Sequence, residues 1–195
     1  MRNYTTNKRI LILCEGITEY LYAKSLQSSL PRNLQRSMAI EIGFNPKNDP
    51  KSLAIEAQKR KNKAKKERNP YDSIWLFFDN DNWPQLEAAF QVIDAEGFHI
   101  AYSSMCMEHW FLLHFENCGK SFKNAEEALK RLKNKWPGYH KTKLKHYELL
   151  KNDLNTALER VKTLRSNVQT ELPRHKRNPY FTMDLLIDFF RELEK

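Results

Sequence analysis

Two short apolar runs, each closely followed by acidic residues, constrain the fold of this chain most strongly. Residues 10–13 and 73–76 are largely apolar and rich in β-formers, as buried strands of a parallel sheet are. Glu15 follows the first run, and Asp79 and Asp81 follow the second. Because the carboxyl ends of the strands line the functional crevice of an open α/β sheet, these three residues are candidate site residues.

The first half of the chain alternates predicted strands with predicted helices. Helices of this length between strands imply right-handed crossovers and a parallel sheet that is covered on both faces. A flavodoxin-like order would place strands one and three side by side and bring Glu15 next to Asp79. The predicted strands span residues 9–14, 38–44, 73–79 and 98–102, and the predicted helices span 18–30, 50–68 and 83–96.

The second half of the chain is predicted to be helical from Glu108 onward, because its apolar residues recur at helical spacing. The composition shift near residue 105 marks the edge of a subdomain. The expected architecture is therefore α/β, with an α/β core at 1–105 and a helical part at 106–195. The predicted helices of the second part span 106–116, 121–135, 143–168 and 179–194.

If these acidic residues lie close together in the folded chain, they predict a divalent metal site. Two carboxylates about 4 Å apart repel by roughly 4 kcal/mol at an effective dielectric of 20, so such a cluster must take up protons or a cation. Oxygen ligands of this kind suit Mg²⁺ and Mn²⁺. The expected chemistry for Glu15, Asp79 and Asp81 is phosphoryl transfer or phosphodiester cleavage, in which such a metal lowers the pKa of an attacking water.

The same residues also have a purely structural interpretation. Asp79 and Asp81 are suited to a loop or an N-cap ahead of a helix that begins near Pro84. Glu19 would then complement the helix dipole in a first turn capped by Thr18. The metal site is favoured because both acidic motifs follow strands of one predicted sheet.

The segments C-E-G-x-T-E at residues 14–19 and F-D-x-D at 78–81 resemble the RloB-like, or AbiL-type, branch of the TOPRIM superfamily. The resemblance implies a TOPRIM-like, Rossmannoid parallel sheet flanked by helices, with a C-terminal helical extension. It also implies divalent metal binding by the first-strand Glu and the D-x-D pair. Those roles fall on Glu15, Asp79 and Asp81, with Glu19 as a supporting carboxylate and Mg²⁺ or Mn²⁺ as the cofactor.

A third block, S-N-P-x-F-E-x-W-L-L-L-H in the family, is similar to residues 103–114. Glu108 matches the family Glu, whereas Ser104 and Met105 replace the N-P pair. Glu108 shares a predicted helix face with apolar residues, an unfavourable place for a carboxylate without a partner, so we expect it in the metal shell. His109 and His114 are expected to be ordinary helix residues. Two weaker blocks follow at residues 139–141 and 178–182.

The resemblance implies a metal-dependent nuclease that acts on DNA or RNA in prokaryotic anti-phage or abortive-infection defence, commonly beside a separately encoded ATPase. The chain lacks the G-x-x-x-x-G-K-[ST] motif of such an ATPase. The alternative is a non-catalytic nucleic-acid-binding or regulatory subunit with a degenerate site. The departures at Ser104 and Met105 motivate that alternative, and the intact Glu15, Asp79 and Asp81 speak against it.

The net charge of +9 and the pI near 9.4 predict a polyanionic partner, which we expect to be nucleic acid rather than a membrane. The basic run at residues 59–68 is either a phosphate contact or a solvated helix face. Lys141 either stabilises a transition-state phosphate or is a surface lysine beside Tyr139. The candidate nucleic-acid-binding residues lie in or beside predicted turns, and they are Lys141, Lys143, Lys145, Arg174, Lys176 and Arg177.

The N-terminal segment is polar, and the apolar run after it is too short for a secretory signal. A cytosolic protein is therefore expected. The three cysteines, Cys14, Cys106 and Cys118, have no metal-binding spacing and are expected to be reduced, small apolar residues. A nucleophilic role for Cys14 is the less favoured alternative, because no His adjoins it in sequence.

Overall fold

The computed structural model describes residues 8–44, 47, 49–143, 145–167 and 171–195. Four strands form one parallel sheet in the order β2-β1-β3-β4. The prediction that strands one and three are neighbours is confirmed, because β1 pairs with β3 from Ile10 opposite Ser73 to Cys14 opposite Phe77. The strands are β1 (Arg9–Cys14), β2 (Ala39–Phe44), β3 (Ser73–Asp79) and β4 (His99–Ser103).

Successive side chains of β1 point to opposite faces of the sheet and so lie in two separate cores. Leu11 and Leu13 join the core on one face of the sheet, whereas Ile10, Ile12 and Cys14 join the core on the other face. A strand alternates its side chains with a period of two, so a continuous apolar run is what a strand with both faces covered requires.

Among the described residues of the first half of the chain, the helices are α1 (Ile17–Ser29), α2 (Arg32–Ser37), α3 (Pro50–Lys66) and α4 (Leu86–Glu96). Asp49 caps α3, because its side chain accepts a hydrogen bond from the backbone N–H of Ser52 at 2.8 Å. The sequence predicted neither α2 nor the late start of α4. Helix α2 buries none of its residues, so it carries no apolar periodicity to detect.

In the part of the second half that the structure describes, the α-helices are α5 (Met107–Phe115), α6 (Ala125–Lys135), α7 (His146–Leu150), α8 (Leu154–Ser166) and α9 (Met183–Leu193). The single helix predicted over 143–168 is wrong, because a 3₁₀ turn at Lys151–Asp153 separates α7 from α8. Asn152 and Asp153 compete for backbone hydrogen bonds and so favour a turn. Residues 144 and 168, which that prediction included, lie outside the described residues.

The segment before α9 is extended rather than helical, which corrects the predicted helix start at residue 179. Thr182 donates its backbone N–H to the carbonyl oxygen of Tyr102 at 2.9 Å, and its side-chain oxygen accepts from the backbone N–H of Tyr102 at 3.0 Å. The Thr182 hydroxyl also donates to the carbonyl oxygen of Ile100 at 2.8 Å. These bonds occupy the outer edge of β4, an edge that would otherwise expose unpaired backbone groups.

The larger core joins the sheet to the helical part of the chain. Ile12 and Trp75 of the sheet lie in one apolar cluster with Trp110 of α5 and Phe190 of α9. The smaller core, on the opposite face, lies under α3 and α4. The division at residue 105 stays a prediction. Within the described residues, no helix has both the length and the apolar content needed to cross a membrane.

Candidate active site

Glu15 and Asp79 meet at the carboxyl ends of the two central strands. The backbone N–H of Glu15 donates to the carbonyl oxygen of Phe77 at 2.9 Å, which continues the β1–β3 ladder by one residue. The Glu15 carboxylate accepts a hydrogen bond from the backbone N–H of Asp79 at 3.2 Å. The structure therefore places Glu15 beside Asp79, as the sequence predicted from strand order.

The N-terminus of helix α5 lies at the Asp79 carboxylate. The backbone N–H of Met107 donates to the Asp79 carboxylate at 3.2 Å. Glu108, the next residue of this helix, is buried, and the Tyr139 hydroxyl donates to its Oε1 at 2.7 Å. That hydrogen bond supplies a partner for a carboxylate on an otherwise apolar helix face. Sequence reasoning did not assign a role to Tyr139, although it lies in the weak block at 139–141.

Asp79 ends β3 and Asp81 lies in the loop after it, so the loop position that the structural interpretation gave is confirmed for Asp81. Asn80 and Asp81 donate their backbone N–H groups to the carbonyl oxygens of Ser103 at 3.1 Å and Met105 at 3.0 Å. Helix α4 begins only at Leu86, and its N-cap residue is Gln85 without a side-chain cap bond. The interpretation of both aspartates as caps of the following helix is therefore wrong, and Asp81 itself is exposed.

Glu19 turns back over the first turn of α1. Gly16 is the N-cap residue of this helix, so the predicted cap at Thr18 is wrong. The backbone N–H groups of Gly16 and of Glu19 itself lower the pKa of the Glu19 carboxyl group, an effect like that of a capping box. An added Cβ at Gly16 would lie 3.1 Å from Oε2 of Glu19, so the glycine leaves room for this carboxylate. The expected dipole-complementing role of Glu19 fits this geometry.

Burial and mutual repulsion raise the pKa values of three of these carboxyl groups. The pKa of Glu15 rises to about 8, first through burial and then through the charge of Glu19. The hydrogen bond from the backbone of Asp79 lowers this pKa and offsets part of the rise. The pKa of Glu19 rises to about 7, chiefly through burial. Burial, followed by Glu19 and Glu15, raises the pKa of Asp79 well above its usual range. The cluster therefore favours protons or a cation.

Lys141 is the cation that the structure brings to this cluster. The residue is exposed on the connection between α6 and α7. Partial burial lowers the pKa of Lys141, but the charges of Glu108, Asp79, Glu19 and Asp81 outweigh that effect and raise it overall. Lys143 and Lys145 are exposed on the same connection. Both interpretations of Lys141 stay predictions, because the residue is exposed and its charge also interacts with the carboxylates.

The basic segment at residues 174–177 divides between structural and open positions. Arg174 forms an ion pair with Asp94 of α4. Arg177 donates to the carbonyl oxygen of Leu172 at 2.7 Å and stacks over the Tyr180 ring at 5.4 Å. Lys176 is exposed. Two of the three predicted phosphate contacts therefore have internal partners.

Some residues of the basic run on α3 also form ion pairs within the protein. Arg60 forms ion pairs at 2.8 Å with Glu41 and at 2.9 Å with Glu56, and Lys61 pairs with Glu96 at 2.9 Å. These contacts hold α3 to β2 and to the end of α4. They support the interpretation of this run as a solvated helix face that also carries surface ion pairs.

The three cysteines are buried and free, as predicted. Burial, followed by the charge of Glu19, raises the pKa of Cys14 well above its usual range. A thiol that resists ionisation is a poor nucleophile, so the nucleophilic alternative for Cys14 is disfavoured. His109 and His114 are buried in the core, where a ring nitrogen of each lies within hydrogen-bond distance of a backbone carbonyl oxygen.

The donor set fits a hydrated Mg²⁺ or Mn²⁺. Glu15 and Asp79 offer carboxylate oxygens, which both ions prefer, and Mg²⁺ is usually held by one or two carboxylates together with waters. Within the described residues, no three His, Cys, Asp or Glu side chains lie close enough to hold an ion unaided. The arrangement thus suits an ion that retains much of its water shell and does not suit a fully protein-ligated ion such as structural zinc.

Comparison with known proteins agrees with the motifs. No curated protein matches the chain. The family model described as RloB-like protein matches residues 10–190, which include both strands that carry the acidic residues, the α5 block and the extended segment before α9. The chain therefore belongs to the RloB-like family.

Proposed function

We propose that this protein is a divalent-metal-dependent nuclease of TOPRIM type that hydrolyses phosphodiester bonds in DNA or RNA. The observation that carries the proposal is the pair of carboxylates at the ends of two adjacent parallel strands, in which buried Glu15 is hydrogen-bonded to the backbone of half-buried Asp79. The strand order and the position of both acidic motifs support the TOPRIM assignment. The family supports a role as the effector of a prokaryotic anti-phage system in the cytoplasm, beside a separately encoded ATPase.

Glu15 and Asp79 are the proposed metal ligands, and Asp81 and Glu19 support them. Bound Mg²⁺ or Mn²⁺ would polarise a phosphate oxygen and lower the pKa of a water molecule. The backbone N–H groups of Asp79 and Met107 fix the two carboxylates, because each donates to one of them at 3.2 Å. A ligand that is already held loses little freedom on binding.

Lys141 and Glu108 are the other proposed catalytic residues. The Lys141 ammonium faces the carboxylate cluster and is suited to stabilise negative charge that develops on the phosphate in the transition state. Glu108 is oriented by the Tyr139 hydroxyl at 2.7 Å, so one of its oxygens has a fixed position near Asp79. Tyr139 is therefore a positioning residue in this proposal.

The second candidate is a non-catalytic nucleic-acid-binding or regulatory subunit. One observation favours it: the described residues form no ready-made group of three metal-binding side chains. The buried carboxylates favour the nuclease instead, because burying them without a cation raises their pKa values and is unfavourable.

Purified protein is expected to cut at least one of labelled plasmid, single-stranded DNA, total RNA and tRNA in Mg²⁺ or Mn²⁺, and to cut none in EDTA. Hydrolysis at neutral pH without a metal would lack both the activated water and the charge stabilisation. Gel analysis of the four substrates under the three conditions measures this. Cutting that persists in EDTA would contradict the metal requirement, and binding without cutting in every condition would favour the second candidate.

Replacing Lys141, Lys143 and Lys145 together with Gln should weaken nucleic-acid binding equally for all sequences. Phosphate contacts release counterions without reading bases, so the slope of log K against log salt should become shallower by about 0.7–0.9 for each lysine that no longer neutralises a phosphate. Fluorescence anisotropy in EDTA, over a series of salt concentrations, measures both quantities.

The matched control replaces Lys123, Lys130 and Lys133, which are exposed on and before α6, with Gln. The change in net charge is the same, so a general loss of attraction would appear in both triple variants. An affinity and a salt slope that stay at wild-type values in the Lys141 variant would mean that this connection is only a solvated surface.

A further inference from the structure

Trp83 has a constrained position beside the carboxylate cluster. Asp81 and Asn82, immediately before it, both have left-handed backbone angles, with φ of 34° and 57°. The backbone N–H of Trp83 donates to the carbonyl oxygen of Asn80 at 2.9 Å and closes this turn. Left-handed residues other than glycine are uncommon, and they tend to occur at functional sites. The turn therefore fixes where the indole projects.

The indole is shielded from solvent on one side and open elsewhere. Its nitrogen is buried. Part of the ring packs against the smaller core, beneath α3 and α4. The residue as a whole is only half-buried. An aromatic ring held in this way loses little freedom when a second flat group contacts its open part.

Two cavities flank Trp83, and each contains a basic side chain. One cavity, of about 320 Å³, is lined by Trp83 with Lys47 and Lys51 at the start of α3. The other, of about 310 Å³, is lined by Trp83 with Asn82 and Lys176. Both volumes lie at the lower end of the range typical of ligand pockets.

Each cavity also contains an acidic side chain. Asp49, in the first cavity, accepts the capping hydrogen bond from Ser52. Glu87, in the second, lies 3.9 Å from a ring nitrogen of His175. An aromatic ring between two cavities that each contain a lysine is an arrangement with which proteins hold single-stranded nucleic acid, because bases stack on the ring while cations follow the phosphates.

We propose that Trp83 is a stacking platform for an unpaired nucleobase, with Lys51 and Lys176 contacting the phosphates on its two sides. This proposal rests on the proposed nuclease function and narrows its substrate to single-stranded segments. The bases of a duplex are already stacked on one another and offer no free face beside a groove wall, so Trp83 contributes to binding only where a base is unpaired.

The test compares two oligonucleotides that carry the same phosphates. One is an oligothymidine of about 12 nucleotides, and the other has the same length but consists of abasic sites. Binding is measured in EDTA by fluorescence anisotropy, so that cleavage does not contribute. The wild-type protein is expected to bind the oligothymidine about 10-fold more tightly, and Trp83→Leu should lose this preference, since stacking on one aromatic ring accounts for an effect of that size.

Two further variants complete the design. Trp83→Phe retains an aromatic ring and should retain most of the preference for bases, whereas Phe115→Leu removes an exposed aromatic ring at the far end of α5 and should leave the preference unchanged. The wild-type comparison needs no variant to fold. Thermal unfolding shows whether Trp83→Leu is folded.

The inference is overturned if the wild-type protein binds both oligonucleotides equally well, or if folded Trp83→Leu keeps the wild-type preference. These outcomes are separate from those for catalysis. A Trp83-dependent preference without any cleavage would refute the nuclease and leave the stacking platform intact. Metal-dependent cleavage by a protein that binds both oligonucleotides equally well would refute the stacking platform and leave the nuclease intact.

Discussion

Glu15→Gln and Asp79→Asn are each expected to reduce phosphodiester cleavage by at least about 100-fold, a typical loss when one stabilising group is removed from a transition state. Each change keeps the size of the side chain and removes the negative charge that a divalent ion requires. Each new side chain also keeps a carbonyl oxygen that can accept the hydrogen bond from Asp79 or Met107. The fold should therefore survive while activity is lost.

The metal-free Glu15→Gln protein is expected to be at least as stable as the wild type above neutral pH. The pKa of Glu15 is about 8 in the folded protein, against an ordinary value of 4.5. Between these values the folded state binds more protons than the unfolded chain, so the stability of the wild type falls as pH rises. A neutral Gln does not ionise, and the variant therefore escapes that loss. Thermal unfolding in EDTA at about pH 5 and pH 8 measures the difference.

Metal binding should distinguish ligands from structural carboxylates. Mg²⁺ or Mn²⁺ should raise the melting temperature of the wild type more than that of either variant, because a ligand stabilises only in proportion to its affinity for the folded state. Glu159→Gln, an exposed carboxylate on α8, is the matched control and should behave like the wild type. Unchanged cleavage in both site variants, or markedly less stable variants with an unaltered metal shift, would refute the site.

Arg165→Met is expected to have the largest effect on stability, about 3 kcal/mol in the free energy of unfolding. Arg165 of α8 donates two hydrogen bonds to Asp184 of α9, at 2.8 and 2.6 Å, and the Asp184 side chain is fully buried. Removing the guanidinium leaves a buried charge without its partner. In a chain of this length the melting temperature should fall by about 10 °C, as calorimetry can measure.

Two controls identify the unpaired charge as the cause. Lys63→Met removes an exposed pair with Glu67, 3.9 Å apart, and should cost less than about 1 kcal/mol. Combining Arg165→Met with Asp184→Leu removes both charges and should recover most of the loss. If Arg165→Met were no more harmful than Lys63→Met, the link between α8 and α9 would not depend on this pair.

Most of the sheet could be predicted from local sequence because its signals are local. The run at residues 10–13 and the run at 73–76 are apolar except for Ser73, which is what strands covered on both faces require. Helix α2 has no such signal, since none of its residues is buried. The start of α4 was misplaced because the turn at Asp81 and Asn82 depends on backbone bonds from Asn80 and Asp81 to the end of β4.

The sequence likewise predicted some features of the candidate site and not others. Glu15 and Asp79 could be placed together because parallel strands end at one edge, so only the strand order was needed. Lys141 was selected because it lies in or beside a predicted turn, and its charge interaction with the carboxylates depends on how the α6–α7 connection packs. The hydrogen bond between Tyr139 and Glu108 spans 31 residues of sequence, and no local pattern encodes it.

The sequence by itself determined the parallel strands, the acidic residues at their ends and the basic surface, because each follows from residue type and short-range periodicity. The tertiary structure alone decided which carboxylates share a buried environment, because burial depends on the packing of α5 over the sheet. It also decided that Arg174 and Arg177 have internal partners. The place of Trp83 between two cavities that each contain a lysine arises from three segments that are distant in sequence and meet only in the folded chain.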